Sequence, residues 1–520
     1  MLARIAALGL LASLAHSQND LIELVPVGAS QDDEFGRVVA RDGDLVAVAD
    51  PWTGDYYGGA WGRVLLYDAS TGQFLHELLP DLPEGDLLNF GFDVDVHGQR
   101  VLVGAPNYDV EAPGETGAAY LYDGSSGQLL HKFLPPDSGP DFRMGRSVAM
   151  NDDWIAIGDL TNYLTDNGRV HVFSASSYAW VRTISAPLIS SVGFGHSVAL
   201  SGDRLVVGAP RATPHHGAAY VFDVPTGALQ LTLDDPSMDT SGKFGWQVEF
   251  SENVVLLSAP GDDNAHPSPG TTMEGSAFAF DATTGQLLTY LIEPYGNWWF
   301  FAESIAYEDG IALVGSRIDD TFGENTGVAY AFEIPSGKQV HRFRDKQGEE
   351  HLQFGYSVAI SGVNAVIGAI EQQGGSGLGY ATYPSMFAPQ LFASSETLSA
   401  TTGGTVDFTV DNREPFAGHA YLILGSASGT APAFPLDFNL ELPLVVDGYT
   451  WLSLGAAGAP PFVGTLGLLD TEGMAQAQIS FPPGLPAPLT LHHAAITFGL
   501  HPQASAAIGT SEAVALELVP

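Results

Sequence analysis

FGHSVALSGDRLVVGAP, Phe194 to Pro210, reads as an apolar strand, a tight turn at Ser201-Gly202-Asp203 and a second apolar strand. Altered copies begin at Phe35-Gly36, Phe90-Gly91, Met144-Gly145, Phe244-Gly245, Phe301-Ala302 and Phe354-Gly355, giving seven in all. The starts lie 50 to 57 residues apart, a period that signals a propeller or a solenoid. Fourteen residues after each start comes a small residue that closes the second strand: Ala49, Gly104, Gly158, Gly208, Ser258, Gly315 and Gly368. That interval holds no insertion or deletion. A hairpin with one buried face behaves this way, because a slip of one residue turns its apolar side outward.

The second half of each copy opens at Gly62, Gly117, Gly168, Gly217, Gly275, Gly327 and Gly377. A third strand follows that typically ends in an acid, as in GAAYLYD and GAAYVFD, then a turn such as STG or PTG and a fourth strand such as QLLHKF. The pattern predicts four antiparallel strands per copy, and four-stranded sheets repeated radially are propeller blades. The seventh copy stops at GLGYATY without a fourth strand, whereas LIELVP, Leu21 to Pro26, precedes the first copy as fourth strands precede the others. The N-terminal strand is therefore expected to complete the last blade and close the ring.

These residues resemble the FG-GAP repeat, the blade of integrin alpha-chain propellers and of many exported bacterial proteins. The resemblance spans about Leu21 to Pro384 and rests on Phe-Gly, Gly-Ala-Pro and the Gly-x-x-Tyr-x-Phe strand recurring in order. Blade three departs most, with Met144 for Phe, Asp159-Leu160 for Ala-Pro and SSY for the turn glycine. In this family calcium occupies the turn between the first two strands, on acids at alternating positions. Here those turns read ARDGDL, VHGQRV, MNDDWI, LSGDRL, FSENVV, YEDGIA and ISGVNA, too short to wrap a cation needing about six to eight oxygens. The family's calcium site is not carried over, so no cofactor is expected, with calcium as the alternative should Asp262-Asp263-Asn264 join a cation site, and Asp42, Asp44, Asp152, Asp153 and Asp309 read as turn formers.

Beyond Pro384 the repeat ceases. The expected organisation is a signal peptide over residues 1–17, a seven-bladed propeller over 18–384, a linker over 385–390 and a β-sandwich over 391–520. In the last segment TVDFTVDN, HAYLILGSASG, LPLVVDGYTWLSL, GTLGLLDTEG, AQAQISFP, LTLHHAAITFG and EAVALELVP read as strands. Their order looks like C-terminal modules on exported propellers of environmental bacteria. His492 and His493 are neighbours in one strand and so face opposite sides, which argues against a shared metal.

Composition narrows the partners. The 520-residue chain carries a net charge of −41 with only 19 Lys and Arg, so phosphate backbones and anionic membranes are repelled and nucleic-acid binding is not expected. Such charge serves solubility, or attracts a cation or a cationic partner. Cysteine is absent, so an exported chain of this size stands on packing alone. The apolar run from Ile5 to Leu14, with Ala15-His16-Ser17 after it, has the length of a secretory leader rather than a bilayer span, so a secreted, extracellular or cell-surface protein without membrane insertion is expected.

The turns on one side of the disc are short. The second-to-third and fourth-to-first connections on the other side vary, and variable loops on a rigid scaffold are where function concentrates. That face offers Trp52, Tyr56, Tyr57, Trp61, Tyr108, Asp109, Tyr163, Asp262, Asp263, Trp298, Trp299, Asp319 and Asp320. Aromatics beside carboxylates suit sugar rings, peptides or cationic side chains; the alternative is that they pack loops onto the disc. Catalytic signals are weak: His215-His216 has no metal-binding helix around it, and no nucleophile elbow, phosphate loop or dinucleotide fingerprint occurs in context. The favoured reading is an extracellular, non-catalytic binding or adhesion protein for a glycan or a protein. An extracellular hydrolase or lyase using loop carboxylates, and a structural surface protein, stand as alternatives.

Overall fold

The computed structural model describes residues 22–27, 34–52, 62–81, 89–107, 117–136, 143–160, 167–187, 192–212, 217–239, 242–263, 275–293, 300–320, 324–343, 351–362, 364–370, 378–381, 390–394, 397–411, 420–428, 434–437, 440–442, 444, 447–455, 457, 460–468, 474–484, 487–501, 504–510 and 514–519. The signal-peptide and linker segments named above lie outside them. Two compact units emerge, one over Ile22–Thr382 and one containing Tyr383–Pro520.

The first unit is built from four-stranded antiparallel sheets over residues 38–78, 94–133, 144–185, 198–234, 248–291 and 301–343. A further sheet joins 357–381 to Ile22–Leu24, whose Leu24 pairs with Gly379 and Ile22 with Ala381. Repeated sheets of this kind fit a β-propeller. The second strands are buried from their second residue on, and Leu45–Asp50 throughout, and so read as near-continuous apolar runs. Fourth strands such as Gln73–Leu78 alternate between exposed and half-buried residues, as an outer strand should.

Apolar cores lie between successive sheets. One joins Ala47, Val64 and Leu66 to Val94, Val101 and Tyr120; another joins Val206 and Val221 to Val255, Leu257 and Phe278. Leu24, Ala359 and Val366 of the last sheet pack with Val46, Val48 and Tyr67 of the first, and the first strand of the last sheet lies against that of the first.

The invariant spacing has a direct cause. The start glycine donates its N–H to the carbonyl of the closing small residue: Gly36 to Ala49 at 3.2 Å, Gly195 to Gly208 at 3.1 Å, Gly355 to Gly368 at 3.0 Å. The closing residue also meets the next sheet. A Cβ added to Gly208 would lie 2.2 Å from the Gly245 carbonyl oxygen, and one on Gly368 would lie 2.0 Å from that of Gly36.

Between first strands, side chains replace a backbone ladder. Val148 donates to Asp93 (2.7 Å), Met150 to Asp95 (2.6 Å), Val248 to Ser197 (3.1 Å), Ile305 to Gln247 (2.9 Å) and Val358 to Ser304 (2.8 Å). Ser357 of the last of these sheets donates to the Gly36 carbonyl, just before the first, at 2.7 Å.

Two sheets dominate the second unit. One orders Gln390–Ala393, Gly404–Asp411, Met474–Phe481 and Phe462–Val463; the other is a six-stranded sheet centred on Leu489–His501. The segment read above as the strand LPLVVDGYTWLSL instead carries a helix, Gly448–Gly455. Asp447 caps it, accepting from the amides of Tyr449 (2.8 Å) and Thr450 (2.9 Å), while Thr450 Oγ1 accepts from the Asp447 amide (3.2 Å). This reciprocal cap outweighs the apolar run that suggested a strand. One pairing, Thr397–Ser399 with residues 517–519, is parallel rather than antiparallel. His493 is buried, accepts or donates through Nε2 to the Tyr449 hydroxyl at 2.9 Å and packs 4.9 Å from the Phe408 ring; half-buried His492 points to the other face, as expected.

Candidate functional site

On the side of the short turns, polar side chains are engaged with the scaffold. Asp68 Oδ1 accepts from Ser70 Oγ (2.6 Å), the Thr71 amide (2.9 Å) and Thr71 Oγ1 (2.8 Å), and Asp123 repeats this with Ser125 and Ser126. The hydroxyl of Ser70, opposed by partial burial and helped by Thr71, holds the Asp68 carboxyl below its usual range. These acids end the third strands because they nucleate the turns that follow. Where blade three lacks the turn glycine, Tyr178 takes φ 59° and donates its amide to Ser174 at 2.8 Å. Its ring stacks 5.0 Å from that of His131. Among the first-to-second turns, Asp42 accepts from the Gly98 amide at 2.7 Å and Asp152 meets His97 Nε2 at 3.0 Å, so these turn formers also join neighbouring sheets.

On the variable-loop side, Tyr56, Tyr57, Trp61, Tyr108, Asp109, Tyr163, Trp298 and Trp299 lie outside the described residues. Trp52 is half-buried, with the Arg37 guanidinium 5.9 Å from its ring centroid. Asp262 and Asp319 do not present their carboxylates to solvent. Asp262 is buried, its carboxylate accepts from Ser276 Oγ, and its carbonyl accepts from Gly275 N at 3.0 Å. Buried Asp319 accepts from Tyr330 Oη at 2.7 Å. Both fasten second-to-third loops to the third strand of their own sheet. Asp263 is half-buried, and exposed Asp320 accepts from the Asn325 amide at 2.6 Å.

An axial cavity of about 660 Å³ runs between the first strands. The residue directly after each Phe-Gly start lines it: Arg37, Phe92, Arg146, His196, Trp246, Glu303 and Tyr356. The Phe-Gly pair draws the eye in the sequence and this next position does not, although its variation beside fixed neighbours is the available signal. Arg37 lies 5.4 Å from the Tyr356 ring and pairs with Glu34; Arg317 lies 5.4 Å from the same ring and pairs with Glu303. Arg146 sits 4.6 Å from the Phe92 ring and 3.2 Å from His196 Nε2, while His196 Nδ1 donates to the Trp246 carbonyl at 2.8 Å. Burial, with Arg146 beside it, pushes the His196 pKa down to about 3, so the imidazole stays neutral and Nε2 accepts. Lys243 lies 4.9 Å from the Trp246 ring. Cations and aromatic faces thus gather at the loop-side mouth of an acidic protein's axial cavity.

Deeper in the cavity, burial raises the pKa of Asp93 to about 6 and of Asp95 to about 7, and raises Glu249 well above its usual value with those two carboxylates nearby. Arg146 opposes the shift at Asp93, and Asp42 adds to that at Asp95; Arg41 and His97 line the same cavity. Raised folded-state values mean that the folded chain holds more protons than the unfolded chain. Stability from these acids is therefore complete below about pH 4 and is lost as pH rises through 6 to 7. Asp95→Asn keeps an acceptor for Met150. It is expected to flatten the fall in melting temperature between pH 5 and 8, with a gain of about 1–2 kcal/mol at pH 8, discounted because the carboxyl faces the cavity. Unchanged pH dependence in thermal scans would count against this.

Among the described residues no helix is long and apolar enough to cross a membrane. No curated protein matches the chain. The model of the FG-GAP repeat matches residues 190–222 and 338–382. The first match covers the opening three strands of the fourth sheet, and the second runs from the last strand of the sixth sheet through the seventh copy. With the recurring four-stranded sheets and the Phe-Gly hydrogen bonds that set their spacing, these matches show that the chain carries FG-GAP repeats.

Proposed function

We propose that this chain is an extracellular, non-catalytic binding protein. The seven sheets of its first unit form a closed seven-bladed propeller, and the two sheets of the second form a sandwich. A glycan or protein ligand is engaged on the variable-loop face, with the aromatic and cationic mouth of the axial cavity at its centre. The observation that carries this reading is the asymmetry of the two sides: turn acids on one are tied into the scaffold, while on the other Arg37 and Arg317 flank Tyr356, Trp52 lies beside Arg37, and Lys243 lies over Trp246. The N-terminal leader expected from the sequence supports a place outside the cell.

An array of extracellular glycans and matrix proteins, probed with the full chain, tests the reading. Retained binding is expected to fall by at least about tenfold in Trp52→Ala, Tyr57→Ala or Trp299→Ala, with melting temperatures little changed. A blank array, or binding indifferent to all three substitutions, would overturn it.

A further inference from the structure

From Gly448 to Leu469 the sequence holds no charged side chain, although the chain carries a net charge of −41. This stretch builds one flank of the second unit. Leu466–Leu468 is the outermost strand of the six-stranded sheet among the described residues, and it pairs with Ala420, Tyr421 and Leu422. Farther along the same strand, Thr465 accepts from the Ile423 amide at 2.8 Å, and Ser453 Oγ of the helix Gly448–Gly455 accepts from the Gly425 amide at 3.1 Å. Alternate amides of a strand point to the same side, so outer strand and helix follow one another along a single edge. Phe462–Val463, just before in the chain, is the outermost strand of the other sheet among the described residues. Edges of both sheets thus come to this flank.

The flank presents large apolar side chains to water. Trp451 and Leu452 are 54% and 56% exposed, while Thr450 and Ser453 of the same helix turn inward and are buried. Val463, Leu466 and Leu468 are 46%, 51% and 61% exposed. Because Thr465 turns its carbonyl toward Ile423, the alternation of an antiparallel strand directs the amides and carbonyls of Leu466 and Leu468 outward. Sheet edges are ordinarily guarded by a charged side chain, a proline or a bulge. Leu466-Gly467-Leu468 carries neither charge nor proline, and its pairing with Ala420–Leu422 is regular. An apolar edge left this way is a template for another strand.

We propose that two copies of this chain associate through this flank, Leu466–Leu468 of one pairing antiparallel with the same strand of the other about a twofold axis. Self-complementarity and charge both select a second copy as the partner. An edge strand laid antiparallel against its own copy offers each outward N–H a carbonyl, so one surface serves both sides. Two chains of net charge −41 repel wherever their acids face each other, and a flank without charged side chains lets them meet without opposing like charges. The same net charge repels anionic lipid, the other surface that would take exposed Trp451 and Leu452. A three-residue edge with a few apolar side chains is small beside the roughly 800 Å² per partner of a standard interface, so the dimer is weak and reversible, with a Kd of about 1–100 µM.

Sedimentation equilibrium of the full chain, at concentrations spanning that range and in low and high NaCl, tests the proposal. A reversible monomer–dimer equilibrium is expected, and it should tighten as salt is added, because screening removes the repulsion and leaves the apolar contact. Leu466→Lys and Trp451→Lys are each expected to weaken the dimer by at least about tenfold, with melting temperatures little changed because both side chains already face water. Leu130→Lys is the control: this leucine is 43% exposed on the fourth strand of the second sheet, and its replacement should leave the dimer as it is. A chain that stays monomeric throughout overturns the proposal, whether or not it binds vesicles of neutral phosphatidylcholine instead. So does association that weakens with salt, that survives both flank substitutions, or that Leu130→Lys disrupts equally.

Discussion

Replacing Gly208 with alanine is expected to destabilise the first unit by about 3 kcal/mol or more, among the largest effects of any single methyl group in the chain. The added Cβ would lie 2.2 Å from the Gly245 carbonyl oxygen and 3.1 Å from a Val248 methyl. The obstructing atom is backbone, so relief requires one sheet to move away from the next. Gly202, six residues earlier in the same hairpin, is the control. It has φ 54°, and a methyl group added there would meet nothing within 4 Å, so Gly202→Ala should cost only the left-handed backbone strain, about 1 kcal/mol. Chemical unfolding followed by circular dichroism separates the two. Equal losses would mean that sheet-to-sheet contact does not explain the glycine.

Asp50→Ala carries the second large effect. Asp50 and Arg63 are both buried and pair across neighbouring strands at 3.3 Å, and Asp50 Oδ1 also accepts from the Glu34 amide at 3.0 Å. Removing the acid takes from the buried guanidinium its buried carboxylate, leaving Glu77 at 3.5 Å and the Val27 carbonyl at 2.7 Å, a loss of about 2–3 kcal/mol. The repeat supplies its own remedy. The equivalent cross-strand pair is Asp159 with Arg169 in the third sheet, but Ala105 with Ala118 in the second and Ala209 with Ala218 in the fourth. Where the alanine of Gly-Ala-Pro becomes an acid, its partner becomes arginine. The double variant Asp50→Ala/Arg63→Ala should therefore be more stable than Asp50→Ala alone. A double variant whose losses simply add would contradict this pairing.

Much of this was legible in the sequence because the repeat compares the chain with itself. Fixed spacing from Phe-Gly to the closing glycine reported a hydrogen bond, and the missing fourth strand of the last copy pointed to Leu24 and its pairing with Gly379. The departure at Asp159-Leu160 was visible, but its meaning required knowing that Asp159 and Arg169 face each other. Loop acids were harder. Sequence marks Asp262, Asp319 and Asp320 alike, yet only folding decides that the first two turn inward to Ser276 and Tyr330 while the third stays exposed. The ring of residues at the cavity mouth is hidden for a related reason: residues 50 or more apart become neighbours only when the sheets stand side by side. In the second unit, without a repeat, one capping aspartate was enough to turn an apparent strand into the helix Gly448–Gly455.

The central claim is that the variable-loop face binds and the short-turn face does not. Hydrogen–deuterium exchange of the full chain, free and bound to a glycan or matrix protein retained on the array, tests it most directly. Protection is predicted in the loops after the second strands, in the fourth-to-first connections and at Arg37, Trp246 and Tyr356. Protection confined to the opposite turns around Gly43, Gly98 and Gly202, or to the second unit, would contradict it.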